Sequence, residues 1–98
     1  MIVCRVVGNV VSTNKDEKLR GMKLMIVQPV DMHEQKPDGK PLVAIDTVGA
    51  GEGEIVLVVS GSSARQTKVT TNTPVDATIM GILDYIEIGG KRTFSKFS

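Results

Sequence analysis

Short apolar runs, four to ten residues long, alternate along the chain with polar or glycine-rich breaks. Ile2 to Val11 is the first run, interrupted by Gly8-Asn9. It predicts a long strand with a bulge or barrel corner at the glycine. Lys23 to Val30 predicts a second strand, with Pro29 at an edge or strand end because it has no N–H to donate. Val43–Val48 and Ile55–Val59 are β-branched and bounded by Gly and Ser, which predicts strand, loop, strand around Gly49-Ala50-Gly51-Glu52-Gly53. The run Ile79 to Ile88 is strand-like again. Alternation puts Leu83, Tyr85 and Ile79 on one face and Ile82, Ile86 and Ile88 on the other. Gly89-Gly90 predicts a hairpin turn, with Lys91 to Phe97 returning as the last strand.

The connections are polar. Asp16 and Arg20 are four apart, so Lys15 to Gly21 predicts a single helical turn stopped by the glycine. Asp31 to Pro41 contains the turn sequence Pro37-Asp38-Gly39 and predicts a mobile surface loop. Thr73-Pro74-Val75-Asp76 has the form of a helix start: a capping threonine, a proline at the first helical position and a carboxylate that can bond back. The sum is an all-β chain of five or six short strands with one or two short helical turns. A small closed or nearly closed β-barrel suits it, because closure removes exposed strand edges. One feature strains this picture. Ile55 to Val59 is apolar at every position, whereas a strand with one wet face should alternate. With no long helix to cover an outer face, such residues predict a neighbouring chain, and hence an obligate oligomer.

Composition narrows the function. A chain of 98 residues allows one domain, taken as residues 1–98. Twelve basic against eleven acidic residues leave a net charge of +1, and the aromatics are only Tyr85, Phe94 and Phe97. Neither the charge nor the stacking platforms of a nucleic-acid binder are present. Cys4 is the only cysteine and lies in an apolar run, so it reads as a small buried hydrophobe in a chain suited to a reducing cytosol. No apolar run reaches the roughly 20 residues that span a bilayer, and no secretory signal is expected.

Candidate chemistry is sparse. Gly49-x-Gly51-x-Gly53 lacks the spacing of a dinucleotide loop and is followed by a strand, and Glu52 and Glu54 would repel a pyrophosphate. His33-Glu34 is followed by Lys36-Pro37 and does not form a zinc-binding helix. Ser60-Gly61-Ser62-Ser63 is not a nucleophile elbow. No catalytic residue, metal ligand or cofactor site is assigned. The glycine loop is left as a tight turn or as a place of close subunit packing.

Three ordered motifs carry a resemblance. The first begins with Val6-Val7-Gly8-Asn9-Val10-Val11-Ser12-Thr13 and continues through Lys15-Asp16, Leu19, Gly21, Lys23-Leu24 and Gln28-Pro29. The second is Asp46-Thr47-Val48-Gly49-Ala50-Gly51-x-Gly53-Glu54-x-Val56-Leu57, followed by Gly61-Ser62-Ser63-Ala64-Arg65. The third is Pro74-Val75-Asp76-Ala77-x-Ile79-x-Gly81-Ile82-Leu83-Asp84. Together they resemble the vertex proteins of bacterial microcompartments, the EutN/CcmL-type shell family; Glu17 stands where many relatives carry proline. The resemblance implies an OB-like β-barrel, assembled as a cyclic homopentamer that plugs the fivefold corners of a cytoplasmic protein shell tiled by hexameric or pseudohexameric proteins. It implies a structural role without catalysis, cofactor, nucleic acid or membrane. Within it, Gly49, Ala50 and Gly51, or Gly61, Ser62 and Ser63, are the candidates for the fivefold axis or a subunit seam. Arg65 is the candidate anchor of the turn, with Asp46 as one possible partner. The alternative is an OB-type module binding a ligand or nucleic acid.

Overall fold

Strand β1 (Ile2–Val10) is hydrogen-bonded along both edges. In this computed structural model the structure describes residues 1–11, 21–61 and 77–97. Antiparallel β2 (Lys23–Pro29) lies on one side of β1 and antiparallel β4 (Ile55–Ser60) on the other, so that Cys4 stands between Pro29 and Val56. β3 (Leu42–Asp46) pairs with β2, and β5 (Ala77–Ile82) pairs parallel with β3 and antiparallel with β4. The order β1-β2-β3-β5-β4 closes into a barrel. β6 (Tyr85–Ile88) and β7 (Lys91–Ser95) form a separate two-stranded hairpin, turned by Gly89 and Gly90 with φ of 60° and 80°. Two positive φ angles in a two-residue loop match the right-handed twist of the flanking strands, and glycine adopts them without a Cβ clash. The β1 register shifts between Val6 and Gly8, the bulge that the glycine predicts.

Alternation builds the interior. Cys4 and Val6 from β1, Met25 and Val27 from β2, Ala44 from β3, Val56 and Val58 from β4, and Ala77 and Ile79 from β5 form one buried cluster. A second, smaller cluster lies outside the barrel wall, where Ile45 and Val59 are covered by Met22 and Leu24. That second cluster changes the expectation for Ile55–Val59. Ile55, Val56, Val58 and Val59 are all 6 % exposed or less within one chain. Only Leu57 is half-buried. Both faces of β4 are therefore largely satisfied without a neighbour. Within the barrel strands the apolar side chains left in water lie elsewhere, at Ile2, Val7, Val43 and Met80, each more than 40 % exposed.

The run Ile79–Ile88 also departs from one continuous alternation. It breaks at Leu83-Asp84, where Leu83 N donates to Ile55 O at 2.8 Å and Asp84 O accepts Lys96 N at 2.7 Å. Upstream, the β4–β5 register steps from Val58↔Ile79 to Leu57↔Gly81 and passes over Met80. Ile79 and Ile82 consequently reach the same core cluster rather than opposite faces. β3 stops two residues before the predicted Val48, because the Asp46 carboxylate accepts Val48 N and Gly49 N and turns the chain. No α-helix forms among the described residues; the turns expected at Asp16–Arg20 and after Thr73 lie outside them.

Candidate functional site

The glycine loop between β3 and β4 is held by its own carboxylates. Asp46 Oδ1 accepts Val48 N and Gly49 N, both at 3.0 Å. Glu54 Oε1 accepts Gly51 N at 2.7 Å, and its other oxygen lies 3.1 Å from Lys96 Nζ. The Gly51 N–H, and then Lys96, hold the Glu54 carboxyl below its ordinary value. Gly53 N donates to Val6 O at 2.8 Å, Val6 N to Glu54 O at 2.9 Å, and Arg5 Nη1 to Gly53 O at 3.0 Å. A phosphate cradle needs outward-pointing amides. Here the Gly49 and Gly51 amides are already bound to acidic side chains, so the loop is a braced turn. Gly49 and Gly53 have φ of 78° and 89°, which fixes glycine at both.

The candidate residues separate. Gly49 and Gly51 lie on this loop, together with Arg5, Glu54 and Lys96. Ala50 is 2 % exposed and belongs to the barrel core, so it plugs the interior instead of facing a neighbour. Gly61, exposed with a φ of 66°, follows the opposite end of β4. Six strand residues, about 20 Å, separate the loop end at Glu54 from Gly61, so both could line one axis only if β4 runs along it. Ser62, Ser63 and Arg65 lie outside the described residues. Asp46, the candidate partner of Arg65, has one carboxylate oxygen committed to its own turn.

Further contacts organise the loop after β2. Asp31 accepts the backbone N–H groups of His33, Glu34 and Lys36 at 3.0, 2.8 and 2.7 Å. Those of Glu34 and Lys36, foremost, lower its pKa. The loop expected to be mobile is thus wound around one side chain and tied to the barrel by the Val30↔Pro37 bridge and by Asp38 N on Pro29 O at 2.8 Å. Thr93 Oγ1 donates to Met32 O, which fastens the hairpin to this loop. Between hairpin and barrel runs an open trough of about 580 Å³. Cys4 is fully buried, and desolvation pushes its thiol up to about 11, a protonated core side chain and no nucleophile.

These features define a small closed β-barrel with a braced loop and an appended hairpin. Residues 1–84 match the family described as ethanolamine utilisation protein EutN/carboxysome. The shell vertex protein EutN of Salmonella typhimurium is 46 % identical over 91 residues, covering 93 % of this chain and 91 % of that protein. The solved structure of Gloeobacter violaceus CcmL superposes with a TM-score of 0.93 at 38 % identity, each chain covered completely. That of GrpN from Rhodospirillum rubrum, described as a pentameric microcompartment shell protein, gives 0.80 at 46 % identity, covering 90 % of this chain and 99 % of that one. The chain belongs to the EutN/CcmL family. It is a structural shell protein of the vertex class and not an enzyme.

Proposed function

We propose that residues 1–98 act as one domain, that five copies assemble into a closed ring, and that the ring caps the fivefold vertices of a microcompartment shell in the bacterial cytoplasm. The single observation that carries this reading is the apolar outer surface of the closed barrel, where Ile2, Val7, Val43 and Met80 stand in water. Exposed apolar side chains on paired strands are surface through which copies can meet face to face. A ring uses heterologous contacts, one face of each chain against a different face of the next. At about 800 Å² per contact, two contacts would cover about a quarter of the 6204 Å² surface of the lone chain.

A fivefold tile supplies the curvature that a flat hexagonal sheet lacks, and hexameric or pseudohexameric shell proteins are the partners proposed for its rim. Gly49 and Gly51 on the braced loop, and Gly61, Ser62, Ser63 and Arg65 after β4, are the residues proposed for the axis or the seams. Ala50 acts from inside the barrel. Light scattering on the eluting protein tests the ring: five copies of a 10.5 kDa chain should give about 52 kDa. A mass of one chain at micromolar concentration would overturn it.

A further inference from the structure

The geometry points to Asp38-Gly39 as a site of spontaneous backbone isomerisation, and to Gln28 as the positioning residue that restrains it. Asp38-Gly39 is the one Asp-Gly or Asn-Gly step in the chain. Both residues are exposed. Gly39 has no side chain to shield its nitrogen, and the Asp38 carboxylate has no hydrogen bond or ion pair with a described residue. The reaction needs only water. Gly39 N attacks Asp38 Cγ and gives up its proton, while a carboxyl oxygen leaves as water; the product is a five-membered succinimide. A second water then opens the ring. Cleaving the Cγ–N bond restores aspartate. Cleaving the bond from Gly39 N to the former main-chain carbonyl carbon of Asp38 gives isoaspartate, with one extra methylene in the main chain and a free α-carboxylate. Nothing is oxidised or reduced, and one water leaves for each that enters.

A clamp at the end of β2 opposes ring closure. Asp38 N donates to Pro29 O at 2.8 Å. Gln28 Nε2 donates to both Gly39 O and Pro29 O at 2.9 Å. The two atoms held on the loop, Asp38 N and Gly39 O, stand on either side of the Asp38 ψ torsion. Closing the succinimide turns that torsion to carry Gly39 N onto Cγ, so the two ends cannot both stay bonded while the ring forms. Gly39 is also seated on Pro29: a Cβ there would lie 3.5 Å from Pro29 Cβ, and its φ of 121° favours glycine. Of the two end bonds, only the one from Gln28 is made by a side chain and can be removed by substitution. The product acts in the opposite sense. A methylene inserted between the two clamped atoms spoils their spacing, so the loop does not refasten to β2 once isoaspartate has formed.

The test is incubation of the full-length protein near neutral pH in water enriched in oxygen-18. Each passage through the ring leaves one solvent oxygen at position 38, and electron-transfer fragmentation separates isoaspartate from aspartate. Wild type should take up label slowly at Asp38. Gln28→Met, which has no donor, should take it up about fivefold faster, the factor that one net hydrogen bond supplies. Gln28→Leu replaces it if circular dichroism shows that the methionine variant has lost its fold. Ile79→Val loosens the core at the fully buried Ile79 of β5 and leaves the clamp intact, so it should label Asp38 at the wild-type rate. Asp38→Glu should take up no label at 38, because its ring would need six members. A Gln28 variant that labels no faster than wild type overturns the assignment, as does Ile79→Val labelling as fast as the Gln28 variant, or no label at Asp38 in any of these proteins. In aged wild type, chains carrying isoaspartate should exchange the residue 38 amide faster than chains that do not. Equal protection would overturn the permanent release of the loop.

Discussion

Lys96 Nζ lies 3.1 Å from Glu54 Oε2, while Oε1 of the same glutamate accepts the Gly51 amide at 2.7 Å. One carboxylate therefore joins the glycine loop to the chain just after β7. The two bonds should differ in worth. A partly exposed ion pair contributes little, about 0 to 1 kcal/mol, whereas a backbone amide left without its acceptor costs about 1 kcal/mol or more. Glu54→Gln keeps an oxygen for Gly51 and should lose only the ion pair; Glu54→Ala loses both. Urea unfolding should rank wild type, Glu54→Gln and Glu54→Ala in falling order, with the larger step second.

The Asp31 carboxylate predicts an acid-sensitive loop. Its amide partners depress its folded pKa below the ordinary 3.8. A depressed carboxyl contributes stability that is complete above its unfolded value and is lost as pH falls through the folded one. Asp31→Asn should therefore flatten the acid side of the loop's stability profile and leave the neutral side sloping as before. Amide exchange of Glu34 and Lys36, followed from pH 6 down to pH 3, is the measurement. An unchanged acid slope in the variant would show that the loop is held by other groups.

The loop glycines should fail in different ways. Gly49 has a φ of 78° with open space around its Cβ position, so Gly49→Ala meets backbone strain of about 1 kcal/mol and no clash. Gly51 has no such φ, but an added Cβ would lie 3.4 Å from Glu54 Oε1. Gly51→Ala should be mild, because that carboxylate can move. A bulky residue at 51 should lower the proportion of rings in light scattering more than it lowers the melting midpoint, whereas Gly49→Ala should do the reverse. A wild-type elution profile for the bulky variant would remove Gly51 from the seam.

The strands were legible because β-branched runs and their glycine boundaries are local. Gly8 announced the bulge and Gly89-Gly90 the hairpin. The cover over Val59 was not legible, since it comes from Ile45, Met22 and Leu24, which only the closed barrel brings together. The break at Leu83-Asp84 hid inside an apolar run because its cause is hydrogen bonding to Ile55 and Lys96, both distant in sequence. In the glycine loop the position was legible but not the direction of each residue. Ala50 faces the core, and the amides of Gly49 and Gly51 face carboxylates. The trough needed three separate segments to meet and left no trace in any one of them.

Cys4 offers a built-in reporter of barrel opening. It is fully buried, is the only cysteine, and its thiol is pushed up to about 11 from 9.0 by desolvation. Between those values the unfolded chain ionises while the folded chain does not. Stability should therefore begin to fall as pH rises above 9.0 and stop falling from this cause by about 11. Cys4→Ala should remove that alkaline slope at a cost of about 1 kcal/mol for the lost sulfur contacts. Cys4→Ser should cost more, about 1–3 kcal/mol, because a hydroxyl is a more demanding polar group in an aliphatic core. For wild type at pH 8, labelling by an aromatic disulfide should be limited by opening of the β1–β2 and β1–β4 ladders that flank Cys4. Its rate should slow as protein concentration rises, because ring formation stabilises the barrel by mass action. Fast labelling that ignores protein concentration would mean that the first strand frays on its own.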